Sequence, residues 1–272
     1  MIPGDASHSP LVDSHAHLDD PRLAADVAGC LQRARQAGVV AVVTVGTDLA
    51  SSERAVELSA RFSEVYAAVG IHPHEAESAR PAHSERLAQL AREPKVVAVG
   101  EAGLDFYRNL APRATAEAVF RRHVELAVEV DLPLIVHGRE AHDAILDILE
   151  ALPRRPPAVL HSFDGSLETA QRALALGCHL SFTGVLTFPN ARALREVAGC
   201  LPLDRLMVET DCPYLAPQTW RGKRNEPAYV VAVAETLAEL NHLPLTDVAQ
   251  TTTETAFRFF GLGGDVGEQA PS

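Results

Sequence analysis

The sequence predicts one α/β domain, a single (β/α)8 (TIM) barrel. Eight short runs of apolar, mostly β-branched residues recur along the chain. They are continuous rather than alternating, which is typical of strands buried on both faces of a parallel sheet. Amphipathic stretches separate them, and eight such units in 272 residues favour a closed barrel over an open doubly wound sheet. The predicted strands begin near Leu11, Val39, Val65, Val96, Leu132, Ala158, Cys178 and Leu206.

The predicted helices rest on apolar residues that recur every three or four positions. This spacing is clearest over residues 114–130, 141–152 and 166–176. No linker or low-complexity segment interrupts the series of strand-plus-helix units. We therefore expect one domain over residues 11–260, with flexible tails at 1–10 and 261–272.

Composition and charge describe a globular protein with a large core, since 47% of its residues are apolar and 22% are charged. The chain has 24 basic and 36 acidic residues, which give a net charge of −12. This charge argues against broad, non-specific binding of duplex nucleic acid. It does not exclude a nucleic-acid substrate, because a local basic strip or bound metal ions act within a Debye length of about 10 Å.

The expected compartment is the cytoplasm. No run of about 18 apolar residues is present that would span a membrane, and the polar first ten residues lack the apolar centre of a secretory signal. The cysteines form no C-x-x-C pair, which is typical of a reducing environment. We expect each of the four to be a small core residue: Cys30, Cys178, Cys200 and Cys212.

Histidines or carboxylates stand at the carboxyl ends of six of the eight predicted strands. In a parallel barrel these ends face one rim, where the catalytic sites of this architecture lie. One such histidine alone would suit a structural role, and a carboxylate pair can simply cap a loop. Core packing gives no reason for the joint pattern, which therefore predicts a metal site. The residues are His15 with His17, His72 with His74, Glu101, His137, His161, and Glu209 with Asp211.

Imidazole and carboxylate groups together are good ligands for divalent ions, and the sequence does not choose among Zn, Mn, Mg, Fe, Co and Ni. His15 and His17 are two positions apart on an extended segment, so their side chains point to the same side. Glu101 can bridge two ions through its two oxygens. The predicted ligands of two or three ions are His15, His17, Glu101, His137, His161 and Asp211.

The remaining histidines are expected to be surface or packing residues. They fall in the N-terminal tail, in or beside helical stretches, or at the start of an apolar run. No organic cofactor is expected, since no glycine-rich nucleotide loop is present. These histidines are His8, His83, His123, His142, His179 and His242.

Seven motifs, spread over nearly the whole chain, carry a resemblance to a known family. They are VDSHAHL at 12–18, VGIHPH at 69–74, VGEAGLDFYR at 99–108, PLIVH at 133–137, LHSF at 160–163, VETDCPYLAP at 208–217 and RNEP at 224–227. In this order the motifs resemble the TatD family of metal-dependent hydrolases and deoxyribonucleases, within the amidohydrolase-like barrels.

The resemblance implies a two-metal centre, and it implies which residues divide between the two ions. His72 is expected to face the substrate phosphate. Arg108 and the strip Arg221–Lys223–Arg224 are expected to make further phosphate contacts, although this strip would equally suit a solvated loop. By the resemblance, one ion is held by His15, His17, Glu101 and Asp211, and the other by Glu101, His137 and His161.

The activity that the resemblance implies is 3′–5′ exonucleolytic cleavage of DNA at single-stranded or frayed ends, with a link to DNA repair. A water activated between the ions would attack phosphorus, with Asp211 accepting its proton and Glu101 bridging the metals. His72 would stabilise the developing negative charge. No G-x-S-x-G elbow or other covalent nucleophile competes with this interpretation. The protein is expected to act as a monomer or small homo-oligomer.

Two alternatives remain open. The first is a metal-dependent amidohydrolase or esterase that acts on a small molecule or an acyl-tRNA with the same ions. Glu101 stands where many such barrels bridge their metals with a modified lysine, which favours the TatD-like branch without fixing the substrate. The second is a non-catalytic, metal-binding scaffold, which the intact set of ligands argues against.

Overall fold

The computed structural model describes residues 9–263, and it confirms the predicted barrel. Eight parallel strands follow one another in chain order around a single sheet. Their starts differ from the predicted ones by at most two residues. The strands are β1 (Leu11–Ala16), β2 (Val39–Val45), β3 (Val65–Val69), β4 (Val96–Asp105), β5 (Leu134–Arg139), β6 (Ala158–Leu160), β7 (His179–Phe182) and β8 (Leu206–Val208).

Helices separate all consecutive strands and form the outer layer. Two of them follow the last strand. No helix in the described part of the chain is long and apolar enough to cross a membrane. The helices are α1 (Pro21–Ala24), α2 (Val27–Gln36), α3 (Leu49–Arg61), α4 (Pro81–Leu90), α5 (Arg113–Val130), α6 (His142–Glu150), α7 (Leu167–Ala175), α8 (Arg192–Ala198), α9 (Val230–Asn241) and α10 (Leu245–Phe260).

The two tails predicted at 1–10 and 261–272 fall mostly outside the described residues, and so does His8. Within the described chain, three of the cysteines are buried, as expected. Cys200 is exposed at the end of α8, so its assignment to the core was wrong. The short helix α8 turns this position away from the apolar layer that the sequence pattern suggested.

Two apolar layers make up the core. The larger lies between the sheet and the helices. The smaller fills the barrel itself with side chains such as Val43, Ala68 and Ile135, and Phe260 of α10 packs against this inner cluster. Since Thr253 of α10 bonds the carbonyl of Pro10 just before β1, α10 closes the amino end of the barrel. The carboxyl end stays available for polar residues.

The first and last strands meet at a short seam. β8 has only three residues, and an isolated bridge between Ala16 and Cys212 extends its pairing with β1. The buried carboxyl group of Asp13 adds a side-chain connection, because it accepts hydrogen bonds from the N–H of Thr210 at 2.8 Å and from its hydroxyl at 2.6 Å. These side-chain hydrogen bonds therefore add to the few backbone contacts that join β8 to β1 and close the barrel.

A buried histidine on α5 fixes the segment that follows β3. His123 donates from Nδ1 to the carbonyl of Val119 at 2.8 Å, and its Nε2 accepts the N–H of Ile71 at 2.9 Å. Burial lowers the pKa of His123, which maintains the neutral form that this acceptor role requires. Because Ile71 precedes His72, the contact links the helical layer to the rim. His123 is thus the packing residue that the sequence led us to expect.

We expect His123→Ala to lower the free energy of unfolding by about 1–3 kcal/mol, because it leaves the buried N–H of Ile71 unpaired. The contribution of neutral His123 should be complete above its ordinary pKa of 6.5 and decline as the pH falls below that value. Urea unfolding of the metal-free protein between pH 5 and 8 (roughly the range of histidine titration) measures both effects. His83→Ala on α4 is the matched control and should change little.

Candidate metal centre

All six predicted ligands, together with His72, lie around one buried point at the carboxyl ends of the strands. Each comes from the end of a strand or from the loop that follows it. His15, Glu101 and His161 are almost completely buried. The contributing elements are β1 for His15, the loop after β1 for His17, the loop after β3 for His72, β4 for Glu101, β5 for His137, and the loops after β6 and β8 for His161 and Asp211.

An irregular step in β4 carries Glu101 into the centre. Between Val99 and Ala102, β4 has one residue more than the paired part of β5, which is the signature of a β-bulge. Gly100 lies in this step with φ at +137°, and a Cβ atom there would come within 2.5 Å of the carbonyl oxygen of Ile135. Glycine is therefore required beside Glu101.

Five imidazoles surround the carboxylate of Glu101. Three of the rings are nearest to one of its oxygens, and the other two are nearest to the second oxygen. From Oε1 the distances are 2.8 Å to His137 Nδ1, 2.8 Å to His161 Nε2 and 3.4 Å to His72 Nε2; from Oε2 they are 3.4 Å to His15 Nε2 and 3.8 Å to His17 Nε2.

The electrostatics of the centre favour positive charge. Burial alone would raise the pKa of Glu101, but the surrounding imidazoles hold it well below its ordinary value. Burial alone would lower the pKa of His17, but Asp211 and Glu101 raise it to about 9. The pKa of His161 is also raised, because Glu101 outweighs the effect of burial. Without metal, protons on His17 and His161 therefore balance the negative charge of the nearby carboxylates. A bound cation would balance the same charge.

Three groups of donor atoms are close enough to share an ion, with all atoms of a group within 4.8 Å of one another. The Nε2 atoms of His15 and His17 are only 3.3 Å apart, and two such nitrogens can share just one proton. A divalent ion would satisfy both. The groups are His15, Glu101 and His161; His15, His17 and Asp211; and His72, Glu101 and His137.

The outward ring nitrogens of three of these histidines face oxygen atoms. This is the usual arrangement for metal-bound histidines, whose second nitrogen donates to a carboxylate or carbonyl that fixes the tautomer and the ring. The residues present thus fit divalent ions in both donor type and orientation. The contacts are His17 Nδ1 to the Val45 carbonyl at 3.1 Å, His161 Nδ1 to Glu209 Oε1 at 3.2 Å, and His137 Nε2 to Asp105 Oδ2 at 3.4 Å.

Glu209 is completely buried, and its hydrogen bonds hold it against His161. Its Oε1 accepts the N–H of Ser162 at 2.7 Å, and its Oε2 accepts the hydroxyls of Ser181 at 2.5 Å and Ser14 at 3.4 Å. The sequence left Glu209 as a possible loop cap. The structure instead makes it an orienting partner of His161, with donors on three different strands or their loops.

Asp211 lies at the seam between β8 and β1. It has a left-handed backbone with φ at +54°, and its N–H donates to the carbonyl of His15 at 2.9 Å. Its Oδ1 is 3.3 Å from His17 Nε2. Burial acts to raise the pKa of Asp211, but His17 lowers it below the ordinary value, so the side chain is a carboxylate at neutral pH.

His72 presents a donor to the centre. Its Nδ1 accepts the N–H of His74 at 3.1 Å, and its Nε2 lies 3.4 Å from Glu101 Oε1. Burial lowers the pKa of His72 to about 4, so the ring is neutral at pH 7. With Nδ1 used as an acceptor, the single ring proton lies on Nε2 and points inward.

The RNEP motif at 224–227 supports the loop that carries Asp211. Asn225 donates from its amide to the carbonyls of Thr210 at 2.9 Å and Tyr214 at 2.6 Å. Arg224 lies 3.3 Å from the buried carboxylate of Glu226 and donates to a backbone carbonyl at 2.9 Å. The guanidinium of Arg224 therefore has partners within the fold, and its side chain stays 37% exposed, so its phosphate contact stays a prediction.

The other predicted phosphate contacts lie on exposed loops. Arg108 follows β4, with its N–H bonded to Asp105 at 2.7 Å. Arg221 lies over the ring of Phe188 at 4.7 Å from its centroid. Lys223 is exposed as well. These cations can reach solvent at the rim, and the side chain of Arg224 is also 37% exposed.

Asp13 and Asp105 escaped the sequence interpretation, which placed His74 and Glu209 at strand ends without giving them a role as ligands. Asp105 joins two histidines, since it lies 2.7 Å from His74 Nε2 and 3.4 Å from His137 Nε2. The available signal was a second acidic or imidazole group two or four positions from each predicted ligand. That spacing places both groups on the same side of a strand.

The chain is similar to several known proteins. A family model described as TatD related DNase matches residues 12–261. The metal-dependent hydrolase YabD of Bacillus subtilis is 40% identical over 253 residues, which cover 93% of this chain and 99% of the relative. The protein named 3′-5′ ssDNA/RNA exonuclease TatD from Klebsiella pneumoniae is 38% identical over 234 residues, which cover 84% of this chain and 89% of that one.

Solved structures agree. The Escherichia coli TatD homologue YJJV has a TM-score of 0.88 at 34% identity, with 93% of this chain and 98% of that chain covered. An organophosphorus hydrolase from Deinococcus radiodurans, at 15% identity and a TM-score of 0.64, covers 96% of this chain and 99% of its own, and shares the fold alone. The chain belongs to the TatD family of metal-dependent hydrolases.

Proposed function

We propose that this hydrolase removes nucleotides from the 3′ ends of single-stranded or frayed nucleic acid, DNA in the first place. The observation that carries the proposal is the convergence of five imidazoles on Glu101 at the barrel rim, with Asp211 beside His15 and His17. The name of the Klebsiella relative, a 3′-5′ ssDNA/RNA exonuclease, supports the choice of substrate.

We infer two ion sites that share Glu101. Divalent ions held there would supply Lewis acidity, which activates water and offsets negative charge on a phosphoryl oxygen. His17 must lose its proton to bind metal, so affinity should rise with pH up to the pKa of about 9 that this ring has without metal. We assign His15, His17, Glu101 and Asp211 to one ion, and Glu101, His137 and His161 to the other.

The protein's own groups carry the proton transfers. Asp211, a carboxylate at neutral pH, accepts a proton from the attacking water. His72 donates from Nε2 to a phosphoryl oxygen as negative charge develops on it. The water oxygen forms a bond to phosphorus, and the bond from phosphorus to O3′ breaks. The products are a 5′-mononucleotide and a strand with a new 3′ hydroxyl.

The net charge of −12 limits the number of phosphates that the protein can engage. Arg108 and Arg221 are the exposed cations that we assign to such contacts. The salt dependence of binding should then be shallow, since the slope scales with the number of contacts at roughly 0.7 per phosphate for single strands.

We expect metal-stripped protein to be inactive on 5′-labelled single-stranded DNA and to regain activity when a suitable divalent ion is restored. The products should form a ladder that shortens from the 3′ end. Each ion is tested separately, and closed circular single-stranded DNA is the control. Cleavage of the circle as fast as the linear strand would contradict action at ends. Failure with every phosphodiester and every ion would contradict the nuclease assignment.

We expect Glu101→Gln to abolish hydrolysis and to lower the bound metal per chain, because the shared carboxylate is lost. The fold should persist, since barrel stability resides in the apolar layers. Metal content by elemental analysis and turnover are measured together. Glu125→Gln, on the exposed face of α5, is the matched control. Turnover near that of the wild type in Glu101→Gln would exclude the two-ion assignment.

We expect His72→Gln to keep the metal content and to lower kcat by about 10²–10³-fold, as for the loss of one donor to a developing oxyanion. The reason is that the Nε2 proton makes neutral His72 a donor rather than a ligand. Elemental analysis of the bound metal distinguishes a donor from a ligand. A loss of metal comparable to that of Glu101→Gln would show that His72 is a ligand instead.

A further inference from the structure

Exposed apolar side chains concentrate beside the metal centre. Five large ones are exposed in the described chain, and four lie in the loops that follow β4 and β8. The fifth, Leu243, lies between α9 and α10. Because β4 and β8 are four strands apart in an eight-stranded barrel, their loops face each other across the rim. The four are Tyr107, Leu110, Tyr214 and Leu215.

Each exposed tyrosine has an arginine against one face of its ring. The guanidinium carbon of Arg139 is 3.9 Å from the ring centroid of Tyr107, and that of Arg22 is 4.2 Å from the ring centroid of Tyr214. The tyrosines nevertheless stay 58% and 46% exposed, respectively. One face of each ring is thus supported, and the other is open to a planar ligand.

Both tyrosines are anchored to the site. The ring of Tyr214 meets that of His17 edge-on, with centroids 6.0 Å apart, and its hydroxyl donates to Asp20 at 3.2 Å. Tyr107 follows Asp105 by two residues, and Asp105 contacts His137 at 3.4 Å. A ligand whose phosphate lies at the centre would therefore have flat, half-covered aromatic surfaces on both sides.

We propose that Tyr107 and Tyr214 stack on bases of a single-stranded nucleic acid on either side of the phosphodiester at the metal centre. This inference rests on the proposed nuclease function and assigns its base contacts. Aromatic stacking suits an acidic protein, because it provides affinity without further phosphate contacts. It also selects single strands, since a duplex does not present the faces of its bases.

The test measures binding of a fluorescein-labelled thymidine decamer to the Mn²⁺-loaded protein by fluorescence anisotropy. Phosphorothioate linkages at the 3′ end slow its cleavage. Tyr107→Ala and Tyr214→Ala should each raise Kd about 5- to 150-fold, the range for loss of one stacked base. The phenylalanine variants should bind like wild type. Tyr66→Ala is the matched control. Tyr66 lies at the start of β3, at the opposite end of the barrel, where Lys95 lies over its ring.

A second strand, with abasic residues at its two 3′-terminal positions, gives a measurement that needs no variant. Wild type should bind it as weakly as the double variant Tyr107→Ala/Tyr214→Ala binds the intact strand, and that double variant should not distinguish the two strands. Equal binding of both strands by wild type, or an equal effect of the variants on both, would overturn the stacking proposal. Hydrolysis of the unmodified strand is measured in parallel. Its absence, with binding that still depends on the bases, would overturn only the nuclease function.

Discussion

The carboxylate of Glu101 and the imidazoles around it form the interaction on which the rest of the site depends. A carboxylate this buried would be costly without compensation, and five histidine rings provide it. The dependence is mutual, because rings as close as His15 and His17 would otherwise repel one another when protonated. A barrel rim brings these rings together, since the five come from the ends of four different strands, β1, β3, β5 and β6.

Residues outside the predicted ligand set orient the side chains of the ligands. Glu209 and Asp105 face the outward nitrogens of His161 and His137, and Asn225 holds the loop of Asp211 from both sides. Several motifs that mark the family therefore contain conspicuous residues besides the metal ligands themselves. In VETDCPYLAP and RNEP, the residues between the chemically active groups position those groups.

Much of the fold and the ligand set could be predicted, because both follow from local patterns. Apolar periodicity defines strands and helices, and parallel strands must bring His15, His137 and Asp211 to one rim. Other features depend on contacts between distant segments. No local pattern indicates the extra residue that β4 inserts at Glu101 or that β1 inserts between Asp13 and Ala16. Likewise, the contact between Arg224 and Glu226 is visible only in three dimensions.

The seam between β1 and β8 ties the supply of metal to the lifetime of the protein. An ion shared by His15, His17 and Asp211 would clasp the two ends of the domain at the point where backbone pairing is shortest. Ligands that bind only the native state shift the folding equilibrium by mass action. In a cell short of the ion, the chain would then lose more than activity. It would open more often at the seam, and proteases would remove it sooner than its metal-replete counterpart.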